Sequence, residues 1–269
     1  MYDRNYLHGR GSSVISKQAI IDPSAKIDSS VTIGPFAVIG ADVEIGAGSI
    51  VGPHVVINGP TKIGKNNRFF QFSSIGEVCQ DIKYHGEESR LEIGDNNTFR
   101  EGCTVHRGTL HGGSLTKIGN NNLFMVNTHV AHDCIIGNNV IFSNNASVAG
   151  HVRVDDFANL GGFVGVHQFC IIGAHSFAAG GSIIQKDVAP FVMVAGHPAQ
   201  THGLNTVGLT RRDFSAESIN TLKQAYKIVF RSSPTVSDAV NKLNTLVASC
   251  KEVVLLRDFL LQSSRGIVR

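Results

Sequence analysis

The stretch Ile118-Gly-Asn-Asn-Asn-Leu-Phe124-Met-Val-Asn-Thr-His-Val130-Ala-His-Asp-Cys-Ile-Ile136-Gly-Asn-Asn-Val-Ile-Phe142-Ser-Asn-Asn-Ala-Ser-Val148 places a large apolar residue at every sixth position. The beat continues through Val154, Leu160, Val166, Ile172, Ala178 and Ile184 to Pro190. Upstream it runs from Ile21 through Ile27, Ile33, Ile39, Ile45, Val51, Ile57, Ile63 and Phe69 to Ile75. It resumes in the same phase at Ile93, Phe99 and Val105. Only Ala178 and Pro190 break the rule at the first position. The fifth position is Ala, Ser, Thr, Val or Cys, except at Asn67, Asn97 and Asn122. The second is often glycine, as at Gly34, Gly46, Gly119 and Gly137.

A six-residue beat is neither the 3.6-residue period of a helix nor the alternation of an ordinary strand. A large residue and a small one, four apart, point the same way from short extended segments, and Gly and Asn ease the turns between them. This pattern predicts a parallel β-helix, in which three hexads close one triangular coil and coils stack at strand spacing. The register also places Cys79, Cys103, Cys134 and Cys170 at the inward fifth position, as small buried hydrophobes rather than nucleophiles. Cys250 lies outside the repeat.

Two interruptions stand out. Residues 76–92 break the repeat without losing phase, as a loop that leaves the prism and returns to it would. His111 to Lys117 adds one residue to a single hexad. Long loops on a rigid scaffold often carry function. After Pro190 the period stops. Ser215 to Arg231, a segment opened by Thr235-x-x-Asp238, and Lys251 to Ser264 then read as three helices. The expected organisation is a repeat domain over 1–196, with the extended loop at 76–92, and a helical domain over 197–269.

Composition narrows the function. Charged residues are 17% of the 269-residue chain and the net charge is +3, too mild and scattered for nucleic-acid binding. No run approaches the ~20 apolar residues of a membrane span, so no stable membrane insertion is expected. Met1 to Ser16 lacks an apolar core of the signal-peptide kind. Five cysteines with no pairing pattern fit a reduced, cytoplasmic setting.

Stacking points to a site. The hexads starting at Val130, Val148 and Val166 should be vertical neighbours, and they carry His132, His151 and His167 at outward positions. His129 closes the preceding hexad, and Asp133 adjoins His132. Spacing alone leaves three readings open. The first is a general base for acyl transfer, with a carboxylate orienting the imidazole and the Gly150 N–H as an oxyanion donor. The second is a metal site on His129, His132 and His151. The third is a set of solvated surface histidines. Lys223, Lys227 and Arg231 share one helix face, either solvated or suited to an acidic partner.

Several segments go beyond the hexads. They are Ile75-Gly-Glu-Val-Cys-Gln-Asp-Ile-Lys83-Tyr, His106-Arg-Gly-Thr109, Asn127-Thr-His-Val-Ala-His-Asp-Cys134, Ala149-Gly-His151, Val166-His-Gln-Phe-Cys170, Arg211-Arg212 and Arg265-Gly-Ile-Val-Arg269. In these the chain resembles the UDP-N-acetylglucosamine 3-O-acyltransferases of bacterial lipid A synthesis, over about residues 20–269. The resemblance implies a left-handed β-helix and a homotrimer with sites between neighbouring prisms. It implies transfer of an (R)-3-hydroxyacyl group from acyl carrier protein to the 3-hydroxyl of UDP-N-acetylglucosamine, with no metal and no cofactor. His132 would be the base, Asp133 its partner and Gly150 the oxyanion donor. His106, His129, His151, His167 and Gln168 would position sugar and acyl chain, and Asp81 and Lys83 would reach the sugar nucleotide. Asn205, Arg211 and Arg212 would serve nucleotide phosphate or the carrier. Gly180 matches a position that sets acyl length, and glycine there leaves the groove open. Tyr2 to Gly11 has no counterpart in the family, and Val207 stands where the family has an acidic residue. The rivals are a sibling N-acyltransferase, an acetyl-CoA-dependent sugar acetyltransferase and a zinc carbonic anhydrase of the same architecture.

Overall fold

The computed structural model describes residues 14–248 and 250–269; the unmatched segment Tyr2–Gly11 lies outside them. Among the described residues each coil contributes one short strand to each of three sheets, of nine, eight and ten strands, parallel throughout except for the last strand of the ten. We call these the first, second and third faces, in the order the chain visits them. First-position residues stack in register, as in Val130 on Val148 on Val166 along the first face. They fill the core with the fifth-position residues, and Phe69, Phe99, Phe124 and Phe142 form one buried column at 4.7–5.1 Å between ring centroids. All five cysteines are buried and unpaired, and burial pushes the Cys134 thiol up to about 12.

The corners explain the remaining positions. The fourth residue of a hexad turns the chain with a left-handed backbone: φ is 59° at Asp133, 61° at His151 and 65° at Phe169. Asn and Asp tolerate this conformation best, and larger residues pay about 1–2 kcal/mol for it. Where rings stand at the corners they stack coil on coil, as in Phe36–His54–Phe72 and Phe157–His175–Phe191, which offsets the strain. The second-position glycines have another cause, namely close approach. A Cβ on Gly46 would lie 2.7 Å from the carbonyl of Gly64 on the next coil.

The three fifth-position exceptions form a single ladder. Asn97 donates its backbone and side-chain N–H to Asn67 Oδ1, and the Asn122 backbone N–H donates to Asn97 Oδ1. The Asn97 and Asn122 amides close on the carbonyls of Gly119 and Gly137. Buried amides are tolerated inside the prism because the stack satisfies them in sequence.

The two interruptions leave from one corner, between the first and second faces, on successive coils. The first joins Ser74–Glu77 to Arg90–Ile93, and the second joins Thr104–His106 to Leu115–Ile118. The second is larger than the expected single extra residue. Val105 pairs with Val130, twenty-five positions on, where uninterrupted coils pair residues eighteen apart. The excursion therefore comprises a whole hexad plus one residue.

The prism ends with Val192–Gly196, parallel to its neighbour, and Ala199–Leu204 folding back antiparallel. Among the described residues four α-helices follow, one more than expected: α1 Thr206–Thr210, α2 Ala216–Lys227, α3 Val236–Val247 and α4 Glu252–Gln262. Ser215 and Thr235 cap α2 and α3 as anticipated. The C-terminal segment returns to the prism, where buried Asp187 accepts from Ser263 Oγ and pairs its backbone with Gly266 and Val268. Among the described residues no helix is long and apolar enough to cross a membrane.

Replacing Asn97 with Leu should leave the Asn122 N–H and the Gly119 carbonyl buried without partners and cost about 2–4 kcal/mol. Urea unfolding checks this, with Asn97→Ala expected to lose a comparable amount and surface Asn144→Ala almost none.

Candidate active site

The corner between the first and second faces carries Asp133, His151 and Phe169 at the same turn position on three successive coils. The His151 N–H donates to the His132 carbonyl, and the Phe169 N–H to the Gly150 carbonyl. His151 stacks on Phe169 at 4.4 Å and meets His132 edge-on at 5.1 Å. His132 Nδ1 lies 2.7 Å from Asp133 Oδ2, and His151 Nε2 lies 3.8 Å from the same oxygen. The Asp133 side chain is 0% exposed, whereas His132 and His151 keep 15% and 21% of theirs. The carboxylate is sealed while both imidazoles remain reachable from solvent.

Charge fixes the proton positions. Burial alone would raise the Asp133 carboxyl. Hydrogen bonds from His132 and from the hydroxyl and N–H of Thr109, with His151 nearby, outweigh burial and hold it below the usual carboxylate range. An ionised carboxylate only accepts, so His132 Nδ1 is the donor, and in the neutral form of the ring Nε2 is the nitrogen that can accept a proton. Burial lowers His151, partly opposed by Asp133 and by Asp81 from the long loop.

Gly150 stands directly over His132. A Cβ there would fall 2.5 Å from His132 Cε1 and 2.6 Å from Nε2. Among the described residues the Gly150 N–H has no partner. An imidazole with an open Nε2 and an unspent backbone donor thus share one small surface, the combination needed to deprotonate a nucleophile and hold an oxyanion.

His129 lies at the start of the same strand row, its Nδ1 2.7 Å from Thr104 Oγ1 and its ring edge-on to buried His106 at 4.9 Å. Burial, with His106 and His132 close by, pushes His129 down to about 4, so it is neutral at physiological pH. Burial likewise lowers His106.

Other expected residues stand apart in this chain. His167 and Gln168 are exposed one coil beyond His151, with His167 Nδ1 3.5 Å from the Arg265 guanidinium rather than against Asp133. Lys83 is exposed in the long loop, where its backbone N–H donates to Asp81. Gly180 is at the opposite edge of the first face, stacked on Gly162, whose carbonyl a Cβ would meet at 3.2 Å. Asn205 caps α1 and donates to the His175 carbonyl. Arg212 lies over Phe157, and Arg211 is exposed beside it. These three residues sit at the corner between the second and third faces. Thr109, the last residue of the His106-Arg-Gly-Thr109 segment, donates to both Asp133 oxygens, a role to which nothing in the sequence pattern points. His132, Asp133 and His151 hold ligand-capable atoms within 4.8 Å of one another, but Asp133 Oδ2 already accepts from His132 and Thr109.

Residues 187–268 match the family described as UDP-N-acetylglucosamine O-acyltransferase, domain 2. Residues 24–59 and 115–150 match the six-repeat bacterial transferase hexapeptide family. The acyl-[acyl-carrier-protein]--UDP-N-acetylglucosamine O-acyltransferase of Stutzerimonas stutzeri is 51% identical over 257 residues, 96% of this chain and 100% of that protein. The solved LpxA of Acinetobacter baumannii superposes with a TM-score of 0.93 at 52% identity, covering 94% of this chain and 99% of that one. The Arabidopsis UDP-N-acetylglucosamine acyltransferase gives 0.81 at 34%, covering 95% and 100%. These likenesses favour neither the carbonic anhydrase nor the acetyltransferase alternative. On fold, repeat, helical tail and full-length identity together, the chain belongs to the acyl-[acyl-carrier-protein]--UDP-N-acetylglucosamine O-acyltransferases, enzymes with a left-handed parallel β-helix that act at the first step of lipid A biosynthesis.

Proposed function

We propose that His132 is the general base that activates the sugar 3-hydroxyl for attack on an (R)-3-hydroxyacyl thioester of acyl carrier protein. The observation that carries this is the Asp133–His132 pair, with Nε2 packed against Gly150, whose N–H is unspent among the described residues. Nε2 takes the hydroxyl proton as the oxygen bonds to the thioester carbon. The Gly150 N–H holds the oxyanion that forms. Collapse breaks the C–S bond, and the imidazolium returns its proton to sulfur, releasing ester and free thiol. Asp133 stabilises the imidazolium, and neutral His129 offers hydrogen bonds without adding competing charge. Gly180 leaves its groove open to a longer acyl chain.

The site is completed by a second copy of the chain. Asn205, Arg211 and Arg212 lie at a different corner of the prism from His132. If both groups serve one sugar nucleotide, a neighbouring subunit supplies one of them, as the homotrimer reading requires. Asp81, placed near enough to act on His151, and Lys83 of the long loop bind the sugar nucleotide on the His132 side. Lys223, Lys227 and Arg231 rim a groove with an apolar floor of Leu204 and Tyr226, a surface suited to an acidic carrier protein. A cytoplasmic reaction fits this reading, because a reducing compartment keeps buried cysteines without disulfides in their thiol form.

His132→Ala should reduce turnover about 10³-fold or more without changing assembly, measured with acyl-carrier and acetyl-CoA donors in parallel. Near-normal turnover, or equal use of acetyl-CoA, would refute the assignment. Trimers mixed from inactive His132→Ala and inactive Arg211→Ala/Arg212→Ala chains should regain activity, because some interfaces then pair two intact halves. No recovery would place the whole site within one chain.

A further inference from the structure

The larger-than-expected excursion after Val105 has a use that the proposed reaction does not by itself require. Thr109 opens its short 3-10 turn, Leu110–Gly112. The Thr109 N–H donates to Asp133 Oδ1 at 2.8 Å, and its hydroxyl donates to Oδ2 at 2.7 Å. On the returning side, Thr116 Oγ1 accepts the Asp133 N–H at 2.8 Å. The turn presses close enough that a Cβ on Gly112 would fall 2.0 Å from Asp133 Cγ, and one on Gly108 would fall 2.8 Å from Oδ1. The turn closes on itself through the Thr109 carbonyl, which accepts from Gly112 and Ser114.

The fold contains its own comparison. Asp42 occupies the same corner and the same left-handed turn, with φ 56°, but the coil before it makes no excursion, Ile21 pairing with Ile39 eighteen positions on. Asp42 is exposed. The corner alone therefore leaves a carboxylate in water, where its side chain can rotate. The excursion removes that freedom at Asp133 and presents Oδ2 to His132 Nδ1.

We propose that Thr109 is a positioning residue. Its paired donors lock the rotamer of Asp133, which in turn holds His132 in the Nδ1–H tautomer. The inference rests on His132 being the base, and it adds a residue that touches neither substrate. Buried hydrogen bonds to charged groups are strong enough for the loss of one to show as about a 10- to 100-fold change.

The test is Thr109→Val in the full-length enzyme, with Thr109→Ser as rescue. Thr109→Val should lower kcat about 10- to 100-fold and leave KM for both substrates within about twofold, while Thr109→Ser stays near normal. Nitrogen NMR of histidine-labelled enzyme, with His132 assigned by its loss in His132→Ala, should show the Nε2–H tautomer appearing in Thr109→Val only. Should Thr109→Val not assemble, Thr109→Ala is carried through the same measurements. Unchanged kcat, a loss confined to KM, or an unmoved His132 signal would overturn the proposal while leaving the base assignment intact. An active His132→Ala enzyme would instead overturn the base assignment itself.

Discussion

The lap of the chain is the constraint from which the rest follows. Three hexads bring the backbone back one strand spacing, about 4.8 Å, above where it began. Most corners are closed by a residue in the left-handed region. Side chains at equivalent corners must therefore form columns, whatever their distance along the sequence. Asp133, His151 and Phe169 are one such column. Its geometry is inherited from backbone pairing that continues for the whole length of the prism, which makes it stiff. A site assembled on stacked coils needs no separate framework to hold its groups in place.

Corners are also where a β-helix tolerates extra chain. An excursion there interrupts no core position, because the first and fifth residues on either side keep their places. Both long excursions use the same corner on successive coils just before Asp133. One brings Asp81 near enough for its charge to act on His151, and the other clamps Asp133. The prism supplies the imidazoles and the loops supply their environment. A sealed carboxylate beside reachable imidazoles results, and neither the coils nor the loops could provide it alone.

Much of this was legible because it is periodic. The beat of large and small residues places Cys134 inside and His132 outside, and it stacks Val130 under Val148, from which the proximity of His132 and His151 follows. What escaped was aperiodic or depended on side-chain direction. His167 belongs to the expected hexad but at its second position, so it leaves the strand before the corner and faces Arg265 instead. The glycines at second positions read as turn formers, whereas the turns lie two residues later and those glycines serve close contact between coils. Asn67, Asn97 and Asn122 looked like three separate exceptions until stacking joined them. By count Thr109 falls at a regular fifth position, but Thr116 fills that place in the stack beside Leu91, and only the path of the loop shows that Thr109 bonds to the next coil. The short α1, five residues long, carries no detectable period, so the capping duty of Asn205 could not be seen.

The most direct measurement is a crystal structure of the assembled enzyme with UDP-N-acetylglucosamine bound. The account predicts the sugar 3-hydroxyl within about 2.6–3.2 Å of His132 Nε2, with Asp133 still on Nδ1 and the Gly150 N–H facing the open side of that oxygen. A sugar whose 3-hydroxyl rests on some other group, with His132 Nε2 turned to solvent, would contradict it.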